Sequence, residues 1–112
     1  MRLAFLLAAG TLLSAAAATA QTDAPEPAPS PQQFEAGDQL FNSICSACHG
    51  KHMVNPGNGS FDLRKFPHAD RARFFNSVQN GKRSMPPWKD ILHPDEIEAI
   101  WAYVRSGGTP PG

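Results

Sequence analysis

The chain has 112 residues, which is enough for one compact domain and too few for two. Ten Lys and Arg balance ten Asp and Glu, so the basic excess that is typical of nucleic-acid binding is absent. A domain of this size buries little apolar surface, and we expect another element to supplement its core.

The first twenty residues predict an export signal. Arg2 precedes the apolar run 3–9, and residues 18–20 read Ala-Thr-Ala, the A-x-A pattern of cleavage sites. A membrane span needs about 20 apolar residues, and this run is shorter. The alternative is an anchor helix that is retained in the mature protein. We expect cleavage after Ala20, a periplasmic mature protein and no transmembrane span in it. Its formal charge is then −1, because Arg2 leaves with the signal.

A proline-rich segment, residues 21–33, follows the cleavage site. Its alternating prolines, Pro25 to Pro31, favour extended polyproline geometry that does not pack, so the segment is predicted to be flexible, as a tether or a tail. We expect the folded domain at residues 34–108 and a short tail at 109–112.

The most informative motif is the C-x-x-C-H sequence formed by Cys45, Cys48 and His49, the pattern to which haem is attached. The two thiols add across the vinyl groups of haem, and the histidine then lies where its Nε2 can bind the iron. A zinc site would need four Cys or His ligands, and the other histidines lack a paired spacing. A thioredoxin-like pair would need a βαβ context, which this sequence does not offer. The motif therefore predicts one covalent haem, which also supplies the apolar group that a small core needs.

Three main helices are predicted, without a convincing strand pattern, so the fold class is all-α. The first runs from Phe34 to Ile44 and leads into the haem motif. The second runs from Asp70, as N-cap, to Gln79. The third begins at Pro94, a favoured first helical residue. Its predicted buried stripe consists of Ile97, Ile100, Trp101 and Val104.

From residue 37 to 104 the chain resembles the class I c-type cytochromes. In that family a glycine lies eight residues, and an aromatic residue four residues, before the first haem cysteine, as Gly37 and Phe41 do here. Their partners lie on the C-terminal helix, in a pattern that residues 100–103 match. The resemblance implies the class I cytochrome c fold, with three to four helices around one haem c. It also implies two helices that touch closely at Gly37.

The resemblance also implies the axial ligands of the iron. The family has a G-x-x-x-M-P loop whose methionine binds the iron opposite the histidine, and residues 81–86 match it, so Met85 is the implied partner of His49. Met53 lies on the same side of the haem as His49 and is expected to pack in the core. In the family a proline carbonyl accepts the hydrogen bond of the other histidine nitrogen, and Pro56 is the candidate here.

An iron bound on both faces has no open position, so we expect a monomeric single-electron carrier rather than an enzyme. The expected partners are redox proteins: a quinoprotein alcohol dehydrogenase, a terminal oxidase or a reductase. One alternative is a haem enzyme or ligand sensor with a displaceable methionine, and another is an electron-entry subunit of a larger complex.

Basic residues expected around the haem either steer an acidic partner or form a solvated mixed face. They are Lys51, Arg64, Lys65, Arg71, Arg73, Lys82, Arg83 and Lys89.

Overall fold

The computed structural model describes residues 9–17 and 25–112. Its α-helices in these ranges are α1 (Pro31–Leu40), α2 (Ser46–His49), α3 (Arg71–Asn80) and α4 (Pro94–Arg105). The π-helical turn Phe41–Cys45 joins α1 to α2, and 3-10 turns lie at Lys51–Met53 and Leu63–Lys65. The described residues form no strand, only an isolated bridge between Lys82 and Met85, and the all-α prediction is confirmed.

Helix α1 begins earlier than its sequence pattern predicts. The side chain of Ser30 accepts a hydrogen bond from the backbone N–H of Gln33 at 3.1 Å, which caps the helix. Pro31 occupies the first helical position, where its missing N–H has no helical acceptor to serve. The predicted start at Phe34 is therefore too late, because Ser30 and Pro31 are a helix-initiating pair rather than part of an extended tether.

The proline-rich segment also differs from the flexible segment that was predicted. Pro29 is buried, and the carbonyl of Pro27 accepts a hydrogen bond from Arg105 at 2.6 Å. The carboxylate of Glu26 accepts another from Nε1 of Trp101 at 2.8 Å. These contacts with α4 offset the entropy of ordering, so the segment lies on the domain from residue 25 onward.

The predicted export signal falls largely outside the described residues, which exclude 1–8 and 18–24 and with them the A-x-A pattern. Residues 9–17 are exposed and form no helix. Within the ranges that the structure describes, no helix has the length and apolar character needed to cross a membrane.

Helices α1 and α4 cross in close contact at Gly37. A Cβ at this position would lie 2.0 Å from the carbonyl oxygen of Ala99 and 2.9 Å from Cβ of Tyr103, so only glycine fits. The ring of Phe41 is fully buried, with its centroid 5.1 Å from that of Tyr103. Phe34 packs on the same tyrosine at 5.5 Å. The close contact predicted at Gly37 is confirmed.

Helix α3 packs on another part of α4. Asp70 caps α3 as predicted, since its side chain accepts a hydrogen bond from the N–H of Arg73. Phe74 of α3 and Phe66 of the preceding loop pack on Trp101, at centroid distances of 4.8 and 5.9 Å. The predicted stripe of α4 is at most 2% exposed: Ile97, Ile100, Trp101 and Val104.

Candidate functional site

The C-x-x-C-H motif lies at the end of the continuous helical stretch that begins with α1. Cys45 closes the π-helical turn, and Cys48 and His49 end α2. Such turns often occur at functional sites, because they change the direction in which the following side chains project. Both thiols are free, and they are three residues apart, which places neighbouring side chains on one helix face.

The two cysteines have different surroundings. Cys45 is partly buried at the edge of the core, and burial raises the pKa of its thiol to about 11. Cys48 is exposed. A catalytic dithiol needs a lowered pKa on its attacking cysteine, so the environment of Cys45 disfavours the thioredoxin-like alternative. The described residues also contain no group of three or more His, Cys, Asp or Glu side chains that could hold a metal ion, which leaves the zinc alternative without a ligand set.

The imidazole of His49 is held by one hydrogen bond to the backbone. Its Nδ1 lies 3.1 Å from the carbonyl oxygen of Phe61. A carbonyl can only accept, so Nδ1 is the donor, and in the neutral imidazole the lone pair is then on Nε2. This is the tautomer that a metal-binding histidine requires, with the coordinating nitrogen free to face the metal.

The acceptor is Phe61, and the prediction that assigned this role to Pro56 is wrong. Pro56 lies instead beside the backbone of Gly50, where its Cδ would be 3.4 Å from a Cβ on that residue. Gly50 has a φ of +83°, and the chain turns so tightly there that a Cβ would lie 1.8 Å from the carbonyl oxygen of Val54. Because of this turn, Val54 and Pro56 lie against the backbone of Gly50. The carbonyl of Phe61, further along the chain, is the one that reaches Nδ1 of His49.

The loop around Met85 is held by backbone hydrogen bonds. The N–H of Lys82 donates to the carbonyl of Met85 at 3.1 Å, and the N–H of Met85 donates back to the carbonyl of Lys82 at 2.9 Å. Gly81 has a φ of +76°, and a Cβ there would lie 2.6 Å from the carbonyl oxygen of Met85. The N–H of Trp88 donates to the carbonyl of Val78 at 2.9 Å, which anchors the loop to α3. The glycine of the G-x-x-x-M-P pattern is therefore required by this turn.

A rim of partly exposed apolar side chains borders the core. We call these residues the apolar rim: Leu40, Ile44, Cys45, Leu63, Phe75, Met85 and Trp88. Cys45 and Met85, from distant parts of the sequence, thus pack on the same core. Partly exposed apolar side chains of this kind are ones that a large apolar group such as haem would cover. By contrast, Met53 is fully buried and packs in the core as predicted.

The basic residues expected around the haem divide into two groups. Three of them form ion pairs: Arg64 with Asp62, Arg71 with Glu26 and Glu98, and Arg73 with Asp70. The other five form none within residues 25–112: Lys51, Lys65, Lys82, Arg83 and Lys89. Part of the basic surface is therefore engaged by the protein itself.

Known proteins resemble this chain over most of the folded part. A family model described as cytochrome c oxidase, cbb3-type, subunit III matches residues 32–104. The quinohemoprotein alcohol dehydrogenase ADH IIB of Pseudomonas putida is 36% identical over 102 residues, covering 78% of this chain and 15% of that protein. Cytochrome c6 of Gloeothece citriformis is 38% identical over 72 residues, covering 61% of this chain and 66% of that protein.

A solved structure also superposes on the chain. Cytochrome CL of the methylotroph Methylophaga aminisulfidivorans MPT has a TM-score of 0.51 and 33% identity, and the alignment covers 67% of this chain and 53% of that one. The present chain therefore spans less than two thirds of each of these three proteins. With the family match over residues 32–104, the C-x-x-C-H motif and the helical fold, the chain belongs to the cytochrome c family, whose domain binds a covalently attached haem c.

Proposed function

We propose that this protein carries single electrons between redox proteins, with His49 and Met85 as the two axial ligands of its haem iron. The observation that carries the proposal is the hydrogen bond from Nδ1 of His49 to the carbonyl of Phe61, next to two free thiols. It supports the proposal because it favours the tautomer in which Nε2 is available to coordinate the iron. The chemistry that haem c supplies when bound is a one-electron couple of its iron.

Each residue of the site has one task in this account. Cys45 and Cys48 would form the two thioether links that hold the haem. Met85 would supply a thioether sulfur, which favours the reduced state relative to a second nitrogen ligand. The paired backbone hydrogen bonds between Lys82 and Met85 keep that weak ligand in place. With His49 and Met85 both bound to the iron, a small molecule would have to displace one of them to bind.

The test of attachment uses the protein expressed in a periplasm that matures c-type cytochromes. We expect covalent haem in the wild type and in the control Ala47→Ser, which leaves both cysteines and the histidine in place. Cys48→Ala should lose one thioether link, and the double variant of Cys45 and Cys48 should lose covalent attachment. Denaturing gels stained for haem give the result, and attachment that survives loss of both thiols contradicts the proposal.

The finer proposal is that the donor is a quinoprotein alcohol dehydrogenase and that transfer occurs in the periplasm. The similarity to ADH IIB of Pseudomonas putida supports the first part, since this chain aligns with 15% of that longer protein. The Ala-Thr-Ala pattern at residues 18–20 supports the second. An acidic face on the donor would be steered by Lys82 and Arg83, which precede Met85 in its loop and make no ion pair within residues 25–112.

The donor is tested by mixing the oxidised protein with a purified quinoprotein alcohol dehydrogenase and its alcohol. We expect reduction whose rate falls as ionic strength rises, and a further fall in the double variant Lys82→Glu, Arg83→Glu. Lys51→Glu is the control, because its Nζ donates to the carbonyl of Asn42 in another region. No reduction, together with rapid oxidation by a terminal oxidase preparation, would assign the protein to a respiratory chain.

Amino-terminal sequencing of the periplasmic fraction tests cleavage after Ala20.

A further inference from the structure

The loop between His49 and its acceptor Phe61 contains polar side chains that bond mainly to the backbone. Nδ2 of Asn58 donates to the carbonyl of Cys48 at 3.1 Å. The hydroxyl of Ser60 lies 2.8 Å from the same carbonyl and 2.7 Å from Oδ1 of Asn58, so its single proton is shared between two acceptors. Two loop side chains therefore converge on one backbone oxygen.

That oxygen lies at the end of helix α2. A carbonyl in the last turn of a helix has no partner within the helix and needs one elsewhere. The N–H four residues on, that of His52, instead donates to Oδ1 of Asn42 at 2.8 Å. Asn58 and Ser60 thus satisfy the carbonyl of Cys48, which belongs to the peptide unit that joins Cys48 to His49.

The same loop also holds the acceptor of the histidine. Nδ2 of Asn55 donates to the carbonyl of Ser60 at 3.0 Å, and the N–H of Ser60 donates to Oδ1 of Asn58 at 3.1 Å. Ser60 is therefore held on both sides of its Cα. Its immediate neighbour is Phe61, whose carbonyl lies 3.1 Å from Nδ1 of His49.

We propose that Ser60 and Asn58 are positioning residues for His49, because they tie the peptide before the histidine to the segment that carries its acceptor. This inference rests on the proposed function of His49 as the iron ligand. The two side chains set the length and direction of the hydrogen bond from Nδ1 to Phe61, and through it the basicity of Nε2. A stronger bond makes the imidazole a better donor, which favours the oxidised iron and lowers the reduction potential.

The sign of the expected change follows from this link. Loss of the Ser60 and Asn58 contacts lengthens the bond from Nδ1 to Phe61, so Nε2 donates less electron density. The oxidised state is then less stabilised, and the midpoint potential rises. We expect a change of up to about tenfold in the redox equilibrium constant, which for a one-electron couple is about 59 mV.

The experiment compares holoproteins by redox titration and by electron paramagnetic resonance of the oxidised form. Ser60→Ala, Asn58→Ala and the double variant should raise the potential, with the largest rise in the double variant, and should change the g-values that report ring orientation. Ser60→Thr retains a hydroxyl and should restore the wild-type potential. Ser43→Ala is the matched control, because its hydroxyl donates to the carbonyl of Gln39 at 2.7 Å within the helical stretch that precedes the loop.

The outcomes separate this inference from the proposed function. If the wild type shows a low-spin iron with His and Met ligands, and the Ser60 and Asn58 variants melt earlier without a change of potential, the two residues are only structural and the inference is wrong. If the wild type lacks those ligands, the proposed function fails and the inference fails with it. If the double variant does not fold, the single variants and Ser60→Thr still decide the result.

Discussion

The crossing of α1 and α4 and the loop from Gly50 to Phe61 are built on different principles. The crossing is apolar and closed: the rings of Phe41 and Tyr103 are fully buried, and Gly37 leaves no room for a side chain. The loop is mainly polar and exposed, with Met53 as its buried residue, and several of its residues have a positive φ, among them the non-glycine residue His52 at 53°. Volume and burial specify the crossing, whereas hydrogen bonds and backbone conformation specify the loop.

This difference predicts a separation of stability from spectroscopic properties. Substitutions at the crossing should lower the free energy of unfolding and leave the iron ligands unchanged in the molecules that fold. Substitutions that disturb the contacts holding His49 or Met85 should change the ligands at a small cost in stability.

Gly37→Ala should have the largest effect on stability. Its new Cβ would lie 2.0 Å from the backbone oxygen of Ala99, so the helices must move apart. We expect a loss of about 3 kcal/mol or more in the free energy of unfolding, by denaturant titration of the holoprotein. Helix propensity alone predicts the opposite sign, since alanine is favoured over glycine by about 1 kcal/mol. The control Ala36→Gly, at an exposed neighbouring position, should cost only that amount; equal losses in both variants would contradict the account.

Gly81→Ala should have a smaller effect on stability and a larger effect on the iron. The substitution strains a backbone with a φ of +76° and places a Cβ against the carbonyl of Met85. We expect a loss of about 1–2 kcal/mol in stability and a weakened sulfur-to-iron absorption band. Gly57→Ala is the control, because its φ is +75° but nothing lies within 4 Å of the new Cβ. Gly57→Ala should lose a similar amount of stability and keep the sulfur-to-iron band. A weakened band in both variants would mean that Gly81 has no specific role in holding Met85.

Glu26→Ala should have the smallest effect. It removes the acceptor of the buried Trp101 and the partly exposed ion pairs with Arg71 and Arg105. We expect a loss of about 1 kcal/mol by thermal unfolding, with unchanged spectra and potential. Glu35→Ala is the control, since this exposed glutamate contacts only the side chain of Gln39 by hydrogen bond. A melting temperature equal to that of the control would mean that residues 25–30 add nothing to the stability of the domain.

The crossing was predictable through the resemblance to the class I c-type cytochromes. Gly37 and Phe41 stand at that family's distances before the first haem cysteine, and residues 100–103 match the pattern of their partners on the C-terminal helix. The N-cap Asp70 and the start at Pro94 were predictable from the local sequence alone, because both depend on residues within one turn.

The acceptor of His49 was not predictable in this way. Every residue has a backbone carbonyl, so the identity of Phe61 depends on the path of the loop and not on its side chain. That path depends on positive φ angles at His52 and Met53, for which non-glycine residues give little signal. The closely spaced Asn58 and Ser60 were a usable hint, since such residues often bond to nearby backbone. The pair formed by Glu26 and Trp101 is long-range, and local patterns do not encode it.

The central claim is that Met85 completes the coordination of the iron opposite His49. The most direct measurement is the visible spectrum of the oxidised holoprotein, including the weak far-red sulfur-to-iron band, for the wild type, Met85→Ala and the control Met53→Leu at a fully buried core position. The account predicts the band in the wild type and in the control, and its loss, with binding of carbon monoxide to the reduced form, in Met85→Ala. A wild-type protein that lacks the band and binds carbon monoxide would contradict the account and favour a haem enzyme or ligand sensor.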